Sequence, residues 1–330
     1  MRIFLLTIIF LAGKAFAQTA SFNIHNIKLP TEVSYYDNQF SGLQVAHKKL
    51  YLLSESRIQD KREAMIYSVS LAELNKAIED TTYQPSFDKI TINGLNHAAE
   101  KMKQANQEYE GLEAFVIKGN TVYLSVETNT PSPFAYLLKG KLEGNTVNLS
   151  EEYIPVPKPV QPNGSHIYNA GFEAITAVQK KLVMFFEYNA FDSNYAYCFD
   201  MLSHNKDSIL FQNLPFRITD ITPISTNHFM ALNLFYKGGG GDTIYRVPEN
   251  DTLNNRLIKP TGDYEDYSRL IEVEYSKTGF AWKPVWEFPV EYRGYNWEGI
   301  ARYKNGYFVI NDKYTRNRPY ASTLLYISPE

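Results

Sequence analysis

The sequence predicts an all-β protein folded as a β-propeller of five four-stranded blades. Three observations carry this prediction: an aromatic-rich composition, a hairpin pattern that recurs five times, and a strand-like N-terminal segment that completes the last unit. The 330 residues are 44% hydrophobic and 15% aromatic, with 25 Tyr and 20 Phe against 18 Gly. Such a composition supports a large core and favours strands over a helical bundle.

The recurring hairpins each read as a strand, a tight polar turn and a second strand. They are "FSGLQVAHKKLYLLSES" from Phe40, "YEGLEAFVIKGNTVYLSVET" from Tyr109, "GFEAITAVQKKLVMFFEYN" from Gly171, "RITDITPISTNHFMALNLFY" from Arg217 and "NWEGIARYKNGYFVINDKY" from Asn296. The register repeats as well. A count of twelve residues leads from Leu43 to Glu55, Ile175 to Glu187, Ile221 to Asn233 and Ile300 to Asp312, and a count of fifteen leads from Leu112 to Glu127.

A third and a fourth strand are predicted after each hairpin. The third strands each carry a tyrosine: "AMIYSV", "FAYLLK", "YAYCFD", "DTIYRV" with Tyr245, and "TLLYIS". The fourth strands are "ITING", "EYIPVP", "FQNLP" and "VWEFP", and "FNIHNIKLP" near the N-terminus supplies the one that the fifth unit lacks. Pairing of this N-terminal strand with the C-terminal blade would close the ring without a free edge.

The fourth unit is the weak point of this scheme. Residues 247–286 are too many for one connection, so a sixth, degenerate blade is an open alternative there. No Gly/Ser-rich or Pro-rich linker divides the chain, and we therefore expect a single propeller domain over residues 18–330.

The first 17 residues predict a cleaved signal peptide. Arg2 begins a basic region, an apolar run follows from Ile3 to Gly13, and "AFA" at 15–17 is a small-x-small cleavage site. The run is too short to span a bilayer of about 30 Å. We expect a secreted or periplasmic protein with no membrane span after cleavage. Cys198 is the only cysteine, so the chain forms no internal disulfide.

Acidic residues bracket the hairpins, and this periodicity predicts a site. In a propeller the first strand of each blade lines the channel, so residues just before it and just after the second strand lie on one face. Before the first strand stand Glu110, Glu173 and Glu298, with Asp220 offset by one and Ser41 in the first unit. After the second strand stand Glu55, Glu127, Glu187, Asn233 and Asp312. One channel mouth thus collects up to eight carboxylates.

So many anions at one mouth need a positive charge among them. A hard cation, calcium above others, suits a cluster of carboxylate and amide oxygens, and the predicted ligands are Glu110, Glu173, Asp220, Glu298, Glu55, Glu127, Glu187 and Asp312. The alternative is internal ion pairing by neighbouring cations, namely Arg57, Arg62, Arg302, Lys313, Arg316 and Arg318. Solvated or backbone-bonded acids in a purely structural role are equally compatible with the repeat.

Other site motifs are missing from the sequence. There is no G-x-S-x-G elbow, no H-x-x-x-H pair and no G-x-G-x-x-G loop, and the six histidines are scattered singly. The net charge of −3 gives no reason to expect a nucleic-acid partner. We expect a monomer that binds a small-molecule ester, a glycan or a peptide.

The phrases "YEGLEAFVIKGNTVYLSVET", "GFEAITAV", "ITDITPI" and "NWEGIA" resemble the phytase-like (esterase-like activity of phytase) domain family of exported bacterial proteins. The F-E-G-L type of phrase and the acid ending the second strand match at Glu110, Glu173, Glu298, Glu127 and Glu187. Ser41 and Asn233 depart from the pattern. The resemblance implies hydrolysis of phosphate or carboxylic esters.

Two functions follow as hypotheses. In the first, calcium held at the acidic mouth polarises the ester and activates water, with catalytic roles for Glu110, Glu173, Glu298, Arg57 and Lys313. Glu110 would be a ligand or the general base, and Arg57 or Lys313 a clamp for the anionic group. In the second, the propeller is non-catalytic and holds a glycan, peptide or partner protein at the same mouth, with aromatic loops near Tyr188, Phe191, Tyr195 and Tyr314.

Overall fold

The structure, a computed structural model, describes residues 21–55, 64–238, 240–314 and 321–330, and within them the fold is all-β as predicted. The strands form two eight-stranded sheets and one four-stranded sheet. Residues 1–17 lie outside the described part, so the signal peptide stays a prediction. No helix in the described ranges is both long and apolar enough to cross a membrane.

The first eight-stranded sheet joins two four-stranded units. Its strands are β2 (Phe40–Ala46), β3 (Lys49–Ser54), β4 (Met65–Ser70), β5 (Asp88–Asn93), β6 (Tyr109–Lys118), β7 (Thr121–Thr128), β8 (Phe134–Glu143) and β9 (Thr146–Pro157). Within each unit the strands pair antiparallel in sequence order. The outer strands β5 and β9 then pair in parallel, which fuses the two units at their rim.

The second eight-stranded sheet repeats this plan. Its strands are β10 (Ala174–Val178), β11 (Lys181–Phe185), β12 (Asn194–Asp200), β13 (Lys206–Phe211), β14 (Arg217–Pro223), β15 (His228–Phe235), β16 (Tyr267–Ser276) and β17 (Gly279–Glu287). The outer strands β13 and β17 again pair in parallel, at Phe211 and Phe280.

The third sheet contains both the first and the last strand of the described chain. Its order is β1 (Phe22–Ile27), β20 (Leu324–Pro329), β19 (Gly306–Tyr314) and β18 (Tyr295–Tyr303). β1 runs antiparallel to β20 over six residue pairs. The segment "FNIHNIKLP" therefore supplies the fourth strand of the last unit.

The prediction of a third strand at "DTIYRV" is wrong. Gly240–Tyr245 forms a 3₁₀ helix, and the third strand of the fourth unit is β16, which begins at Tyr267. Tyr245 is buried with Phe216, Phe235 and Tyr267 in a small apolar cluster of its own. The long connection in this unit is therefore an inserted 3₁₀ helix and α4 (Thr252–Ile258), followed by the third strand β16 and by β17, which contains the start of the predicted fourth strand "VWEFP".

The remaining α-helices of the described residues lie in the first unit and its connections. They are α1 (Thr31–Ser34), α2 (Leu71–Glu79) and α3 (Leu95–Gln104). The Ser70 hydroxyl caps α2 by accepting the N–H of Glu73 at 3.2 Å. Leu95, Ala98 and Met102 bury one face of α3 against the first sheet.

The first strands of the five units lie next to one another. β2 contacts β6, β6 contacts β10, β10 contacts β14, β14 contacts β18, and β18 contacts β2. Apolar clusters fill the spaces between units, and each cluster draws its side chains from two neighbouring units. Trp286 and Trp297, for instance, belong to the cluster between the fourth and fifth units. This arrangement of first strands positions the acidic residues.

Candidate functional site

The first strands of four units are interrupted by β-bulges where the sequence repeat places its acids. Register shifts occur around Ser41, Glu110, Thr219 and Glu298, and Glu173 directly precedes β10. A bulge leaves one residue out of the ladder and redirects its side chain. Three of these five equivalent positions thus present a carboxylate.

Hydroxyl residues occupy the other two positions and join neighbouring units. Ser41 donates a hydrogen bond to the carbonyl of Leu112 at 2.6 Å, and Thr219 donates to the carbonyl of Trp297 at 2.7 Å. Ser41 departs from the acidic pattern because its short side chain reaches the backbone of the adjacent first strand.

Small residues follow the bulge and let the units approach closely. A Cβ atom at Gly111 would lie only 2.7 Å from Cγ of Glu55, and one at Gly299 would lie 2.8 Å from Cγ of Leu43. Real Cβ contacts are longer than this, so glycine permits Glu55 of the first unit to pack against the second.

These elements enclose an acidic cavity of about 170 Å³. Its lining residues are Gln39, Phe40, Ser41, Glu55, Glu110, Glu113, Glu127, Asn169, Glu173, Arg217, Asn296, Glu298 and Asp312. Six of the eight predicted ligands are therefore brought together: Glu55, Glu110, Glu127, Glu173, Glu298 and Asp312. Glu187 and Asp220 do not line the cavity.

Glu187 lies behind the cavity wall and is fully buried. Its Oε2 is 3.2 Å from Nε of Arg217, which does line the cavity. The guanidinium carbon of Arg217 is in turn 4.5 Å from the centre of the Tyr245 ring. Glu187 thus holds the arginine that lines the cavity, and its own charge also raises the pKa of Glu127.

Asp220 occupies the small-residue position of the fourth unit, one place after the bulge at Thr219. Its Oδ2 accepts the N–H groups of Ile300 at 2.7 Å and Leu43 at 3.2 Å, and its Oδ1 accepts that of Ile221 at 2.8 Å. Burial raises the pKa of Asp220 well above its usual range, against these hydrogen bonds. Asp220 links three first strands and stands apart from the predicted metal cluster.

A step of twelve residues from the first strand does not reach the same place in the hydrogen-bonded ladder in every unit. Ile221 pairs with Ala231, ten residues further along the chain, because the β14–β15 turn is longer. In the first, third and fifth units the equivalent residue pairs with one that is nine residues further along. Asn233 therefore stays inside β15, where it donates to the carbonyls of Pro215 and Arg217. Glu127 also lies within its ladder, paired with Gly111.

Burial and mutual repulsion perturb the acids strongly. Burial raises the pKa of Glu127 to about 8, with Glu187 adding to the effect and Lys158 opposing it. Burial also raises the pKa values of Glu113, Glu173 and Glu298 well above their usual range, and neighbouring carboxylates add to each. Arg217 opposes the rise at Glu173 and Glu298. The carboxylates that raise these pKa values thus outnumber the cations that lower them, Lys158 and Arg217.

Three buried oxygen atoms at the cavity have no hydrogen-bond partner within the described chain. They are Oε1 of Glu127, Oε2 of Glu173 and Oδ1 of Asn296. Glu127 and Glu173 are only 6% and 8% exposed. An orphaned buried carboxylate oxygen is costly unless a cation or a proton satisfies it. These atoms suit the oxygen-ligand preference of a hard cation.

The carboxylates nevertheless stand apart as placed. In the four described ranges, no three His, Cys, Asp or Glu side chains are grouped closely enough to hold a metal ion. Calcium also takes amide and carbonyl oxygens, which Asn296 and the bulged backbone offer. The calcium site stays a prediction.

Three important residues escaped the sequence analysis. Glu113 is the extra residue of a second bulge in β6, between Leu112 and Ala114. Arg217 is the first residue of the fourth repeated phrase, ahead of the counted positions that begin at Ile221, and Lys158 follows the strand end "IPVP". Lys158 is only 5% exposed, and its Nζ donates to the carbonyls of Thr128 at 3.1 Å and Asn129 at 3.0 Å. No count along the hairpins could find them.

Other predicted participants either fall outside the described residues or do not line the cavity. Arg57 falls in the gap at 56–63, and the side chain of Lys313 is likewise outside the described part. Tyr188 and Phe191 pack against each other at 4.7 Å within an apolar cluster, and Tyr195 is 42% exposed on β12. None of these three aromatic residues lines the cavity.

A family model described as "Phytase-like: Esterase-like activity of phytase" matches residues 38–312. The match covers all five hairpins and most of the chain. Among curated proteins, none matches the sequence.

Solved structures of glycoside hydrolases align with most of this chain. The catalytic domain of the GH62 α-L-arabinofuranosidase of Coprinopsis cinerea is 8% identical, with a TM-score of 0.50 and coverage of 94% of this chain and 97% of that one. The GH43 α-L-arabinofuranosidase of Clostridium thermocellum is 11% identical, with a TM-score of 0.46 and coverage of 82% and 81%. A structure titled "Glycoside hydrolase" is 10% identical, with a TM-score of 0.47, and the alignment covers 90% of this chain but only 62% of that one. At these identities the likeness concerns the fold alone.

Proposed function

This chain belongs to the phytase-like family, and on that premise we propose that it is a hydrolase of phosphate or carboxylic esters that uses the acidic cavity and a divalent cation. Calcium is the cation we propose. The family description supports the reaction class, and the cavity supports the chemistry.

One observation carries the proposal: Glu127 and Glu173, which line the cavity, each have one buried carboxylate oxygen without a hydrogen-bond partner in the described chain. Carboxylates that repel one another and lack donors destabilise a fold unless a cation shares the site. A purely structural acid would instead be satisfied as Asp220 is, by backbone N–H groups.

The residues around the cavity suggest a division of roles. Glu127, Glu173, Glu298 and the amide oxygen of Asn296 would hold the cation, which when bound polarises the ester oxygen and acidifies water. Glu110, at its bulge, would accept the proton of the attacking water. The water oxygen would bond to the phosphorus or carbonyl carbon as the ester bond breaks, and the alcohol would leave with the proton that Glu110 took from the water.

No covalent intermediate is needed in this scheme. Ser41 carries the hydroxyl among the cavity-lining residues of the described chain, and that hydroxyl donates to the carbonyl of Leu112 at 2.6 Å. Serine nucleophiles instead hydrogen-bond to a general base. Direct attack by water is therefore the mechanism that fits these residues.

The architecture that we propose is a five-bladed propeller closed by β1. Contacts between successive first strands, from β2 round to β18 and back, support five blades, as do the apolar clusters between neighbouring units. Pairing of β1 with β20 supports closure by the N-terminal strand. The signal-like segment at 1–17 supports export to the periplasm or the medium.

The proposal is tested by titrating chelator-treated protein with calcium in a calorimeter and assaying p-nitrophenyl phosphate and p-nitrophenyl acetate with and without calcium. We expect saturable binding and calcium-dependent turnover, both lost in Glu173→Gln. The matched control is Glu272→Gln, since Glu272 is a partly buried acid on β16 that pairs with His228 and Lys283. Absence of both binding and turnover would reject the hydrolase and leave a non-catalytic binding propeller.

A further inference from the structure

The outer strands of the second and third units are not joined by a ladder. The outer strands of the first and second units pair as β5 with β9, and those of the third and fourth units pair as β13 with β17. Among the described strands, β9 and β13 belong to different sheets. The second and third units therefore meet at the rim through side chains, and space between them is open to another molecule.

A groove of about 400 Å³ lies at this boundary, and we call it the rim groove. Ile154 and Val156 of β9 form one wall, and Met184, Tyr197 and Phe199 of the third unit form the other. All five side chains belong to the apolar cluster between these units or pack against it. The volume is within the range of about 300 to 1,000 Å³ that is typical of small-molecule sites.

Exposed apolar side chains extend this surface along the third unit. Tyr195 and Leu210 stand opposite each other in the β12–β13 ladder, two residues along from the opposed pair Tyr197 and Ser208. Alternation along a strand places all four side chains on the same face of the sheet. Tyr195 is 42% exposed and Leu210 is 54% exposed. The rim groove thus continues into an uncovered apolar surface, which favours an apolar ligand.

The strand edges beside the groove are protected against an added strand. Pro155 and Pro157 of β9 have no N–H group to donate. On β13, the Asp207 carboxylate accepts the N–H of Ser208 at 2.8 Å. Prolines and charged side chains at an edge are devices that prevent pairing with another strand. A ligand of the rim groove would therefore be held by side chains.

Lys206 supplies a positive charge at the groove. Its Nζ donates to the carbonyl of Pro155 at 2.9 Å and so crosses the boundary between the units. The nearby acids have other partners: Asp207 lies 3.6 Å from Lys181, and Glu152 is paired with side chains of the two units. No ion pair between described residues includes Lys206. An ammonium has three N–H donors, so two are left for a ligand.

Two hydroxyl groups accompany Lys206 in the rim groove, those of Tyr197 and Ser208. Burial raises the pKa of Tyr197, so its hydroxyl keeps its proton and can donate it in a hydrogen bond. Ser208 stands directly opposite Tyr197 in the ladder. The groove therefore combines an apolar wall with a cation and two hydroxyl donors, an arrangement that complements an anionic head on an apolar body.

We propose that the rim groove binds a small apolar molecule with a carboxylate head, its tail against Ile154, Met184 and Phe199 and its carboxylate on Lys206. A volume of about 400 Å³ corresponds to roughly thirteen water molecules at about 30 Å³ each. A saturated acid of ten carbons, with twelve non-hydrogen atoms, is of matching size. The lining residues are distinct from those of the acidic cavity, so the inference is independent of the proposed reaction.

The test measures binding of decanoate, octanoate and 1-decanol to the full chain by calorimetry, below the concentration at which decanoate forms micelles. Lys206→Met removes the charge and keeps a long side chain. Lys181→Met is the matched control, because Lys181 lies on the opposite face of the same sheet and pairs with Asp207. Ser208→Trp fills the groove from its exposed side. Circular dichroism confirms that each variant is folded.

We expect saturable binding of decanoate that is about fourfold tighter for each added CH₂ group, so about fifteenfold tighter than octanoate. Affinity for decanoate should fall about tenfold in Lys206→Met, stay unchanged in Lys181→Met and be lost in Ser208→Trp. 1-Decanol should bind about tenfold more weakly than decanoate to the wild type.

Four results would overturn the inference: no saturable binding of decanoate to the wild type, equal affinity for decanoate and 1-decanol, unchanged affinity in folded Lys206→Met, or unchanged affinity in folded Ser208→Trp. An equal loss in Lys181→Met and Lys206→Met would also overturn it, because general attraction to a positive surface would then explain the binding. Ester turnover in the acidic cavity is measured separately, so either proposal can fail alone.

Discussion

Asp220 and Glu173 are both buried acids near the first strands, yet their surroundings are opposite. Asp220 accepts three backbone N–H groups, from Leu43, Ile221 and Ile300, and so links three units. Glu173 leaves Oε2 without a hydrogen-bond partner in the described chain and faces other carboxylates across the cavity. Burial alone therefore does not separate architecture from a site, whereas the presence of donors does.

The largest effect on stability should come from removing Asp220, the acid whose carboxylate accepts backbone N–H groups. Asp220→Ala leaves the N–H groups of Leu43 and Ile300 without their acceptor, and each buried unpaired group costs about 1–3 kcal/mol. We expect a loss of about 4 kcal/mol in the free energy of unfolding, measured by urea denaturation. Asp220→Asn keeps one oxygen and should lose less. Equal stability of Asp220→Ala and the wild type would show that Asp220 is not a structural acid.

The acidic cavity should make stability depend on pH in the metal-free protein. Burial raises the pKa of Glu127 from 4.5 to about 8, so the folded state holds a proton that the unfolded state releases. Because the unfolded state binds fewer protons in that range, stability should fall by a few kcal/mol as pH rises from about 4.5 to about 8. Thermal unfolding after chelation measures this, and a Tm that rises with pH would contradict it.

Calcium should reverse that trend. Its ligands must lose their protons, so binding is stronger at high pH. We expect the Tm increase on adding calcium to be larger near pH 8 than near pH 5. An increase that is the same at both pH values would show that calcium binds elsewhere.

Glu173→Gln should act in the opposite direction to Asp220→Ala when no calcium is present. Burial and the charges of Glu187 and Glu298 raise the pKa of Glu173, so its ionised form is costly in the folded state, and we expect the neutral amide to gain about 2 kcal/mol in the metal-free protein near pH 8. Glu272→Gln removes a partly exposed partner of His228 and Lys283 and should lose less than about 1 kcal/mol. If urea denaturation shows that Glu173→Gln is less stable than the wild type, Glu173 has a structural role like that of Asp220.

The smallest effect concerns the hydroxyl at the bulge of the fourth unit. Thr219→Val keeps the shape of the side chain and removes its 2.7 Å hydrogen bond to the Trp297 carbonyl. We expect a loss of about 1 kcal/mol in the free energy of unfolding and no change in calcium affinity. Reduced calcium affinity in calorimetry would show that Thr219 belongs to the site.

The repeat predicted the hairpins and most of the cavity because strand alternation and the spacing of acids are local properties. It could not predict Glu113, since a second bulge in β6 inserts a residue that no fixed count includes. It misplaced the third strand at Tyr245 because a short segment whose apolar residues are Ile244, Tyr245 and Val247 suits a strand or a buried 3₁₀ turn equally, and packing in the insert decided between them.

The role of Asp220 was equally hidden. Its offset of one residue was visible in the sequence, but the N–H groups it accepts come from Leu43 and Ile300, some 177 and 80 positions away. Arg217 stands in its repeated phrase ahead of the counted positions, and Lys158 lies outside the repeated phrases. Contacts of such separation arise only when units meet in space.

The parallel pairing of β5 with β9 and of β13 with β17 has a consequence for hydrogen exchange. These outer strands share ladders across units, whereas β1 pairs on one side only among the described strands. The amide protons of Thr91 and Gln212 form hydrogen bonds to the neighbouring unit. We therefore expect them to exchange more slowly than other amide protons of the outer strands. Local opening should begin at β1 and between β9 and β13, so the rim would loosen unevenly while the acidic centre stays protected.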